Sequence, residues 1–344
     1  MVPVVDLARR QAALEPELSQ AISRVLRSGR FLLGPELEAF EGEFARFTGY
    51  RHAVGVASGT DALRLSFVAL GIGPGDEVVV PAFTAVPTAA AVCAVGAVPV
   101  PVDVDASTAT IDEGAAAAAV TDRTRAVVPV HLYGRPAPLP RLGVPIVEDA
   151  AQAHGALHHN DISVAAAYSF YPTKNLGGIG DGGAVVTDDD EMAARLRILR
   201  AHGVGAAPYE HVAIATNSRM SEVEAAALRV GLPRLTAQNE RRREIASRYR
   251  RAAPSLEWHA DHPDHVHHLC VMRMDERDRF RADAPFATAV HYPLALTQQP
   301  AYREFGRAAC PEAEAWAARC VTLPCFPEMT DEEVDQVCSV LSRL

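Results

Sequence analysis

The sequence predicts an α/β protein: a mostly parallel seven-stranded sheet between helices, with a smaller α+β domain behind it. Three observations predict this. From about residue 50 to 190, short apolar runs alternate with segments of helical periodicity. The runs are continuously apolar, as strands buried on both faces of a parallel sheet are. Near residue 220 the alternation gives way to a long helical stretch, followed by a strand-like segment and a helical tail.

The elements follow in order. Candidate strands are "AVGVA" (53–57), "EVVVP" (77–81), "VPVPVDV" (98–104), "AVVPV" (126–130), "VPIVE" (144–148), "AAYSF" (166–170) and "GAVVT" (183–187). In the intervening "TDALRLSFVALG", Leu63, Phe67 and Leu70 share one helical face. The alanine run 115–119 reads as a short helix. The long segment "SEVEAAALRVGLPRLTAQNERRREIASRYRRAA" is helical and broken at Pro233. After it come the strand-like "HHLCVMRM" (267–274) and the helical tail "DEEVDQVCSVLSRL". The expected division is a large domain, 1–234, and a small C-terminal domain, 235–344, with the N-terminal segment able to pack on the small one. No internal repeat is visible.

Composition narrows the function. The net charge of −10 argues against nucleic acid, and the densest basic run, "NERRRE" (239–244), is short and flanked by acids. No apolar run reaches membrane-spanning length. The N-terminus "MVPVVDLARRQ" lacks the basic and apolar regions of a signal peptide. Six cysteines (Cys93, Cys270, Cys310, Cys320, Cys325 and Cys338) form no CxxC pair and read as reduced, mostly buried thiols, so a cytoplasmic protein is expected.

Of the 33 lysine and arginine residues, Lys174 is the single lysine. It sits in "SFYPTKNLGGIGDGG" (169–183), between an aromatic-proline pair and a glycine-rich run. Arginine serves most surface roles of lysine but cannot lose its proton to become a nucleophile. A chain this rich in arginine that keeps one lysine suggests a site that needs an amine. "PIVEDAAQAHG" ends a buried strand on Glu148–Asp149, and in an open parallel sheet the carboxyl ends of the strands carry the ligand site. A carboxylate there suits the pyridinium nitrogen of pyridoxal phosphate, which also needs a lysine for its aldehyde. Asp149 reads equally as an N-cap before "AAQAHG". "GVASGTDALRLSF" runs strand, Ser58-Gly59-Thr60, helix: a cradle for phosphate, or a plain capping turn. The glycines of "GGIGDGG" lead into a strand, so they do not match a dinucleotide fingerprint.

The cluster "HADHPDHVHH" (259–268) raises the question of a metal. Strand alternation puts His267 and His268 on opposite faces, and no carboxylate or cysteine completes a set with His265, so no metal site is expected.

Cradle, acid and lysine in this order resemble the fold type I pyridoxal-phosphate transferases. More closely, the chain resembles the DegT/DnrJ/StrS family of nucleotide-sugar aminotransferases over nearly its full length. The resemblance rests on "LGIGPGDEVVVPAFT", "EDAAQAHGA", "SFYPTKNLGGIGDGGAV", "NSRMSEVEAAAL" and "VHYPLALTQQPAY". It implies that Lys174 carries pyridoxal 5'-phosphate and shuttles the proton, that Asp149 pairs with the ring nitrogen, and that Gln152 meets the ring hydroxyl. It implies that Gly59, Thr60 and Ser169 bind the phosphate. Asn217 would reach the phosphate of a neighbouring subunit, making the protein a homodimer with shared active sites. Arg219 either meets a substrate anion or organises its loop; His291 and Tyr292 either close the sugar pocket or pack. Three departures stand out. Ala85 follows Thr84 where many members have an aromatic on the cofactor ring, leaving Phe83 or Val86 to cover that face. Thr297 stands where many have histidine. The loop "ALHHNDISVAA" between Asp149 and Lys174 is short.

The implied reaction moves an amino group from L-glutamate to a keto group of a nucleotide-linked, dTDP-type deoxysugar, at C3 rather than C4. A C4 transfer on a hexose or pentose and a keto-inositol transamination are the alternatives on this scaffold. A ligand-sensing regulator is the alternative of another class, and it would not need lysine, acid and cradle together.

Overall fold

The computed structural model describes residues 1–156, 161–207 and 209–344. Each expected run carries a strand: β1 (His52–Val56), β2 (Glu77–Pro81), β3 (Val98–Val102), β4 (Thr124–Val127), β5 (Val147–Asp149), β6 (Ala165–Ser169) and β7 (Gly183–Thr187). Ladders give β1-β7-β6-β5 and β4-β2-β3, and parallel bridges Val127–Ile146 and Val130–Asp149 join β4 to β5. The order across the sheet is therefore β1-β7-β6-β5-β4-β2-β3. All neighbours run parallel except β7, which opposes both β1 and β6. The large sheet is mostly parallel, as expected; which strand reverses was not legible. β3 contains Pro99 and Pro101, which lack the N–H a further strand would need, and it lies at the edge. It stops two residues before the apolar run ends, where the Asp103 carboxylate turns to accept from Glu312 and Ala313 N–H at the start of the helix Pro311–Arg319.

Residue parity decides what each face meets. Val147, Ala165, Ala167 and Val185 pack toward the helices Gly59–Ala69 and Asp190–Leu199. Ala166, Tyr168, Ala184 and Val186 pack toward the helices Pro35–Thr48 and Glu222–Gly231. Phe40, Phe44, Tyr168 and Phe170 make edge-on ring contacts at 5.0–5.3 Å on this second face. Each such buried side chain contributes roughly 1.5–3 kcal/mol. Both faces are covered, which is why the strands are apolar throughout.

The helical segment breaks as its proline requires: Glu222–Gly231, a 3-10 turn Leu232–Arg234, then Leu235–Ala252. Beyond it a second core forms around an antiparallel sheet of β8 (Glu257–Trp258), β9 (Cys270–Arg273) and β10 (Cys320–Leu323), with β9 central. The tail helix Asp331–Leu341 packs on Leu235–Ala252. Val2 lies in this core, and its carbonyl accepts from Ala287 N–H at 2.8 Å. The expected strand over 267–274 is shorter than its pattern. His267 has φ of 42° and precedes β9, so strand alternation does not govern His267 and His268. Among the described residues no helix is long and apolar enough to cross a membrane.

Candidate active site

At the carboxyl edge of the sheet, parity places the polar groups. Asp149 is the last residue of β5 and shares the face of Val147; Glu148 points the other way, into a buried pair with His131 at 2.8 Å. No helix follows Asp149, so it is not an N-cap. Its Oδ2 accepts from Thr88 Oγ1 at 2.7 Å and its Oδ1 from Ala151 N–H at 3.1 Å. Thr88 in turn lies 3.1 Å from the Thr84 hydroxyl. Ser169 ends β6 on the same face, against the first turn of the helix Gly59–Ala69. A Cβ on Gly59 would stand 2.6 Å from Ser169 Cβ, so glycine is the residue that fits. Ser58 caps that helix, accepting from Asp61 N–H at 3.1 Å. The capping turn and the cradle are thus one structure. These groups line a cavity of about 300 Å³ that brings together Gly59, Thr60, Asp149, Gln152, Ser169 and Lys174, with Ala85 and Val130 also in its wall.

Lys174 reaches this cavity from a loop, not from a strand. The loop's backbone carbonyls converge on a buried arginine from the N-terminal helix Leu7–Ala13: Arg10 donates to Pro172 O at 2.7 Å, to Lys174 O at 3.1 Å and to Gly177 O. Burial, then the nearby Arg242, bring the Arg10 guanidinium down to about 10. Farther along, Glu224 accepts from Ile179 N–H at 3.2 Å. Asn175 donates to Asn239 Oδ1 at 2.9 Å and to Val266 O at 3.1 Å, tying the loop to the second core. The Lys174 amine is brought down to about 8 by burial, a fall that the Asp149 carboxylate opposes. An appreciable fraction is then neutral near pH 7–8, which a surface lysine would not be.

Gln152 is buried and committed at both ends: Oε1 accepts from Tyr133 N–H at 2.7 Å, and Nε2 donates to the Tyr292 hydroxyl at 3.0 Å. His291 and Tyr292 line a second cavity of about 300 Å³, which shares Tyr171 and Lys174 with the first. Burial, then Lys174, lower His291 to about 4; burial raises Tyr292 to about 12. Both are neutral at physiological pH. His291 Nδ1 lies 2.8 Å from Thr322 Oγ1, and Tyr133 donates to the His291 carbonyl.

Asn217 and Arg219 do not join these groups. Asn217 is exposed, and its Oδ1 accepts from Arg219 Nε at 2.9 Å. Neither Phe83 nor Val86 covers the first cavity. Phe83 is buried against Trp316 and Tyr292, with ring centroids 6.1 and 6.4 Å away, and Val86 packs on the large core. The wall there is Thr84, Ala85 and Pro87. Thr297 lines neither cavity; its hydroxyl points to Glu314 at 3.4 Å. Part of the short loop after Asp149, residues 157–160, lies outside the described residues. The histidines of 259–268 are mostly structural neighbours of one another: His265 and His267 stack at 3.8 Å, and His268 Nδ1 lies 3.2 Å from Asn175 Oδ1. Among the described residues no group of three or more His, Cys, Asp or Glu is arranged to hold a metal.

Sequence reasoning missed Arg10, Thr88, Asn175 and Glu224. Glu224 left a signal, an acid inside the apolar "SEVEAAAL"; Arg10 left none, because its partners are backbone carbonyls far along the chain.

The residues present fit pyridoxal phosphate. An amine of lowered basicity and an oriented carboxylate face one cavity. Beside them a helix N-terminus, with the Thr60 hydroxyl, stands where glycine alone leaves room at Ser169.

A family model, that of the DegT/DnrJ/EryC1/StrS aminotransferase family, matches residues 12–342. The chain is 44% identical to the erythromycin biosynthesis sensory transduction protein EryC1 of Saccharopolyspora erythraea, covering 99% of this chain and 98% of that protein. It is 46% identical to the dTDP-3-amino-3,4,6-trideoxy-alpha-D-glucose transaminase of Streptomyces venezuelae, covering 95% and 92%. Among solved structures, S. venezuelae DesV in complex with a ketimine intermediate superposes with a TM-score of 0.95 at 44% identity, covering 99% of this chain and 98% of that one.

Proposed function

The chain belongs to the DegT/DnrJ/EryC1/StrS aminotransferase family, and on that premise we propose a pyridoxal-phosphate aminotransferase that moves an amino group from L-glutamate to C3 of a dTDP-linked ketodeoxysugar. The observation that carries the chemistry is the convergence of Lys174 and Asp149 on one cavity. The S. venezuelae relative is named for a 3-amino dTDP deoxysugar, which supports C3 over C4, and the S. erythraea relative is named for erythromycin biosynthesis, which supports an antibiotic-type pathway. The regulatory reading has no such support in the site, where lysine, acid and cradle are all intact.

Pyridoxal phosphate, when bound, supplies an aldehyde for amines and a ring that takes up an electron pair. The chain's residues supply the rest. Asp149, fixed by Thr88 and Ala151 N–H, would offer its carboxylate to the ring nitrogen. Gly59, Thr60 and Ser169 would hold the phosphate end, and Gln152 would meet the ring hydroxyl. Lys174 would hold the cofactor through Nζ and, when free, would move a proton between the donor and acceptor carbons. His291 and Tyr292 border the space left for substrate.

Asn217 and Arg219 belong in this scheme as contributions to a partner's site. Asn217 is exposed on a segment that also exposes Val212 and Ile214, and Phe31, Leu32 and Leu33 are exposed as well. Apolar side chains in such number on a surface favour association, so the proposed state is a homodimer with shared active sites.

The test is a visible spectrum of the protein with pyridoxal phosphate, before and after L-glutamate, for wild type and Lys174→Ala. The wild type should show a band near roughly 410–430 nm that bleaches with glutamate and returns with a 3-keto dTDP sugar. The variant should show no such band. If the two proteins respond alike, the activity is not this one.

A further inference from the structure

The second cavity lies between the N-terminal segment and the C-terminal core, and its walls are mainly apolar: Val4, Val5, Leu269, Leu323. One wall residue does not belong in such company. Arg242, on the helix Leu235–Ala252, is 6% exposed. Its guanidinium donates to the Cys325 carbonyl, and its Nε has no partner. Among the described residues no carboxylate lies within ion-pair distance of it; the Cys325 thiol and, after it, Glu328 act on it only through their fields. The same helix shows how an arginine is ordinarily satisfied. Arg241 pairs with Glu244 and Asp331 at 2.8 and 2.9 Å, and Arg248 with Asp331 and Asp335. Burial lowers the proton affinity of Arg242, yet a guanidinium stays charged at physiological pH. No carboxylate lines the cavity, and Lys174, His268 and His291 bring no negative charge; the Cys325 thiol, whose proton affinity is lowered by its contact with Cys270, lies beside Arg242 but is no fixed charge. Arg10, close enough for Arg242 to lower its own proton affinity, adds a second buried cation.

A buried cation without a counter-ion is heavily penalised, and such groups persist where an anion comes to meet them. We propose that this cavity receives a carboxylate of the amino-acid donor, with Arg242 as its counter-cation. The inference rests on the aminotransferase reading above and names the donor's seat within it. A cavity of about 300 Å³ has room for a short dicarboxylic amino acid along its apolar walls. Lys174 borders the same space, so a donor seated there has its amine beside the group it must displace. The planar fork of arginine suits a carboxylate better than an ammonium would.

The experiment is a calorimetric titration of the cofactor-loaded protein with glutarate, which has both carboxylates and no amine to react. Wild type, Arg242→Met and Arg242→Lys are compared, with melting temperatures taken without ligand. Glutarate should bind the wild type, at least about 30-fold more weakly to Arg242→Met, and with an intermediate loss to Arg242→Lys. The ligand-free Arg242→Met protein should melt no lower than wild type, because an uncompensated buried charge has gone. A merely structural arginine predicts the reverse: a lower melting temperature and unchanged glutarate affinity, which overturns the proposal. If Arg242→Met does not fold, unchanged affinity in Arg242→Lys overturns it. Bleaching of the visible band by L-glutamate in wild type is read in parallel. Its absence sinks the donor reading, whereas normal bleaching with equal affinity in all three proteins sinks this inference alone.

Discussion

The carboxyl edge of the sheet and the Lys174 loop deliver their groups to one cavity by opposite means. At the edge, Asp149 and Ser169 are the last residues of β5 and β6 and project from one face by strand parity. Ladder hydrogen bonds fix their backbones before any side chain acts. The loop has no such frame. It is held by side chains that come from far away in sequence: Arg10 from the N-terminal helix, Glu224 from the helix Glu222–Gly231, and Asn239 from Leu235–Ala252. The immobile carboxylate is built on regular structure. The group proposed to bind the cofactor, release it and carry a proton is built on a loop whose position three distant helices determine.

The difference is sharpest in a pair of substitutions. Asp149→Asn should leave stability nearly unchanged, since the amide oxygen can accept from Ala151 N–H while its NH2 donates to a Thr88 hydroxyl turned toward Thr84, and kcat/KM should fall about 10³-fold or more as the charge proposed to face the ring nitrogen is lost. Arg10→Ala touches no substrate, yet it strands the carbonyls of Pro172, Lys174 and Gly177 in a buried place. It should cost about 2–4 kcal/mol in urea unfolding and lower kcat/KM by about 10–100-fold, with weaker retention of the cofactor's visible band. An Arg10→Ala protein with wild-type stability and an unaltered band means that the loop holds itself.

The same contrast explains what could be read from the sequence. Asp149 and Gly59 were legible because a strand end and a glycine before a helix are local patterns; Ser169 came only with the family resemblance. The lysine was legible by its rarity. Its clamp was not: Arg10 and Glu224 bond to backbone carbonyls and amides, which carry no residue identity, so even the acid inside "SEVEAAAL" did not show what it holds. The reversal of β7 was equally silent, since an apolar strand covered on both faces reads the same in either direction. Phe83 or Val86 was expected over the cofactor face because each stands within two residues of Ala85; Val86 packs on the large core. The core formed with Trp316 claims Phe83 instead, a contact across more than two hundred residues.

Glu224 gives the loop a pH dependence of its own. Burial raises its carboxyl to about 7, against amide hydrogen bonds that pull it down, and its Oε1 has no partner. Its folded value thus lies above the unfolded value of 4.5. The stability it contributes is complete below about pH 4.5 and is lost as pH rises through about 7. Glu224→Gln keeps an acceptor for Ile179 N–H and cannot ionise. It should equal wild type at pH 5 and exceed it by about 2 kcal/mol at pH 8 in urea unfolding. A difference that stays constant between the two pH values removes the acid from this role.

The smallest effect belongs to the edge. Thr88, in the helix Pro87–Ala94, donates to Asp149 at 2.7 Å and is fully buried. Thr88→Val keeps the shape and removes the donor. Asp149 retains Ala151 N–H, and the bridge between Val130 and Asp149 still fixes its backbone. The loss should therefore be near the worth of one hydrogen bond to a charged group, about 1.5 kcal/mol, or roughly tenfold in kcat/KM, with KM for glutamate unchanged. A carboxylate set by its strand tolerates the loss of a side-chain tether; a loop set by tethers does not. Should Thr88→Val prove as damaging as Arg10→Ala, strand parity is not what orients Asp149, and the hydroxyls of Thr84 and Thr88 are the frame instead.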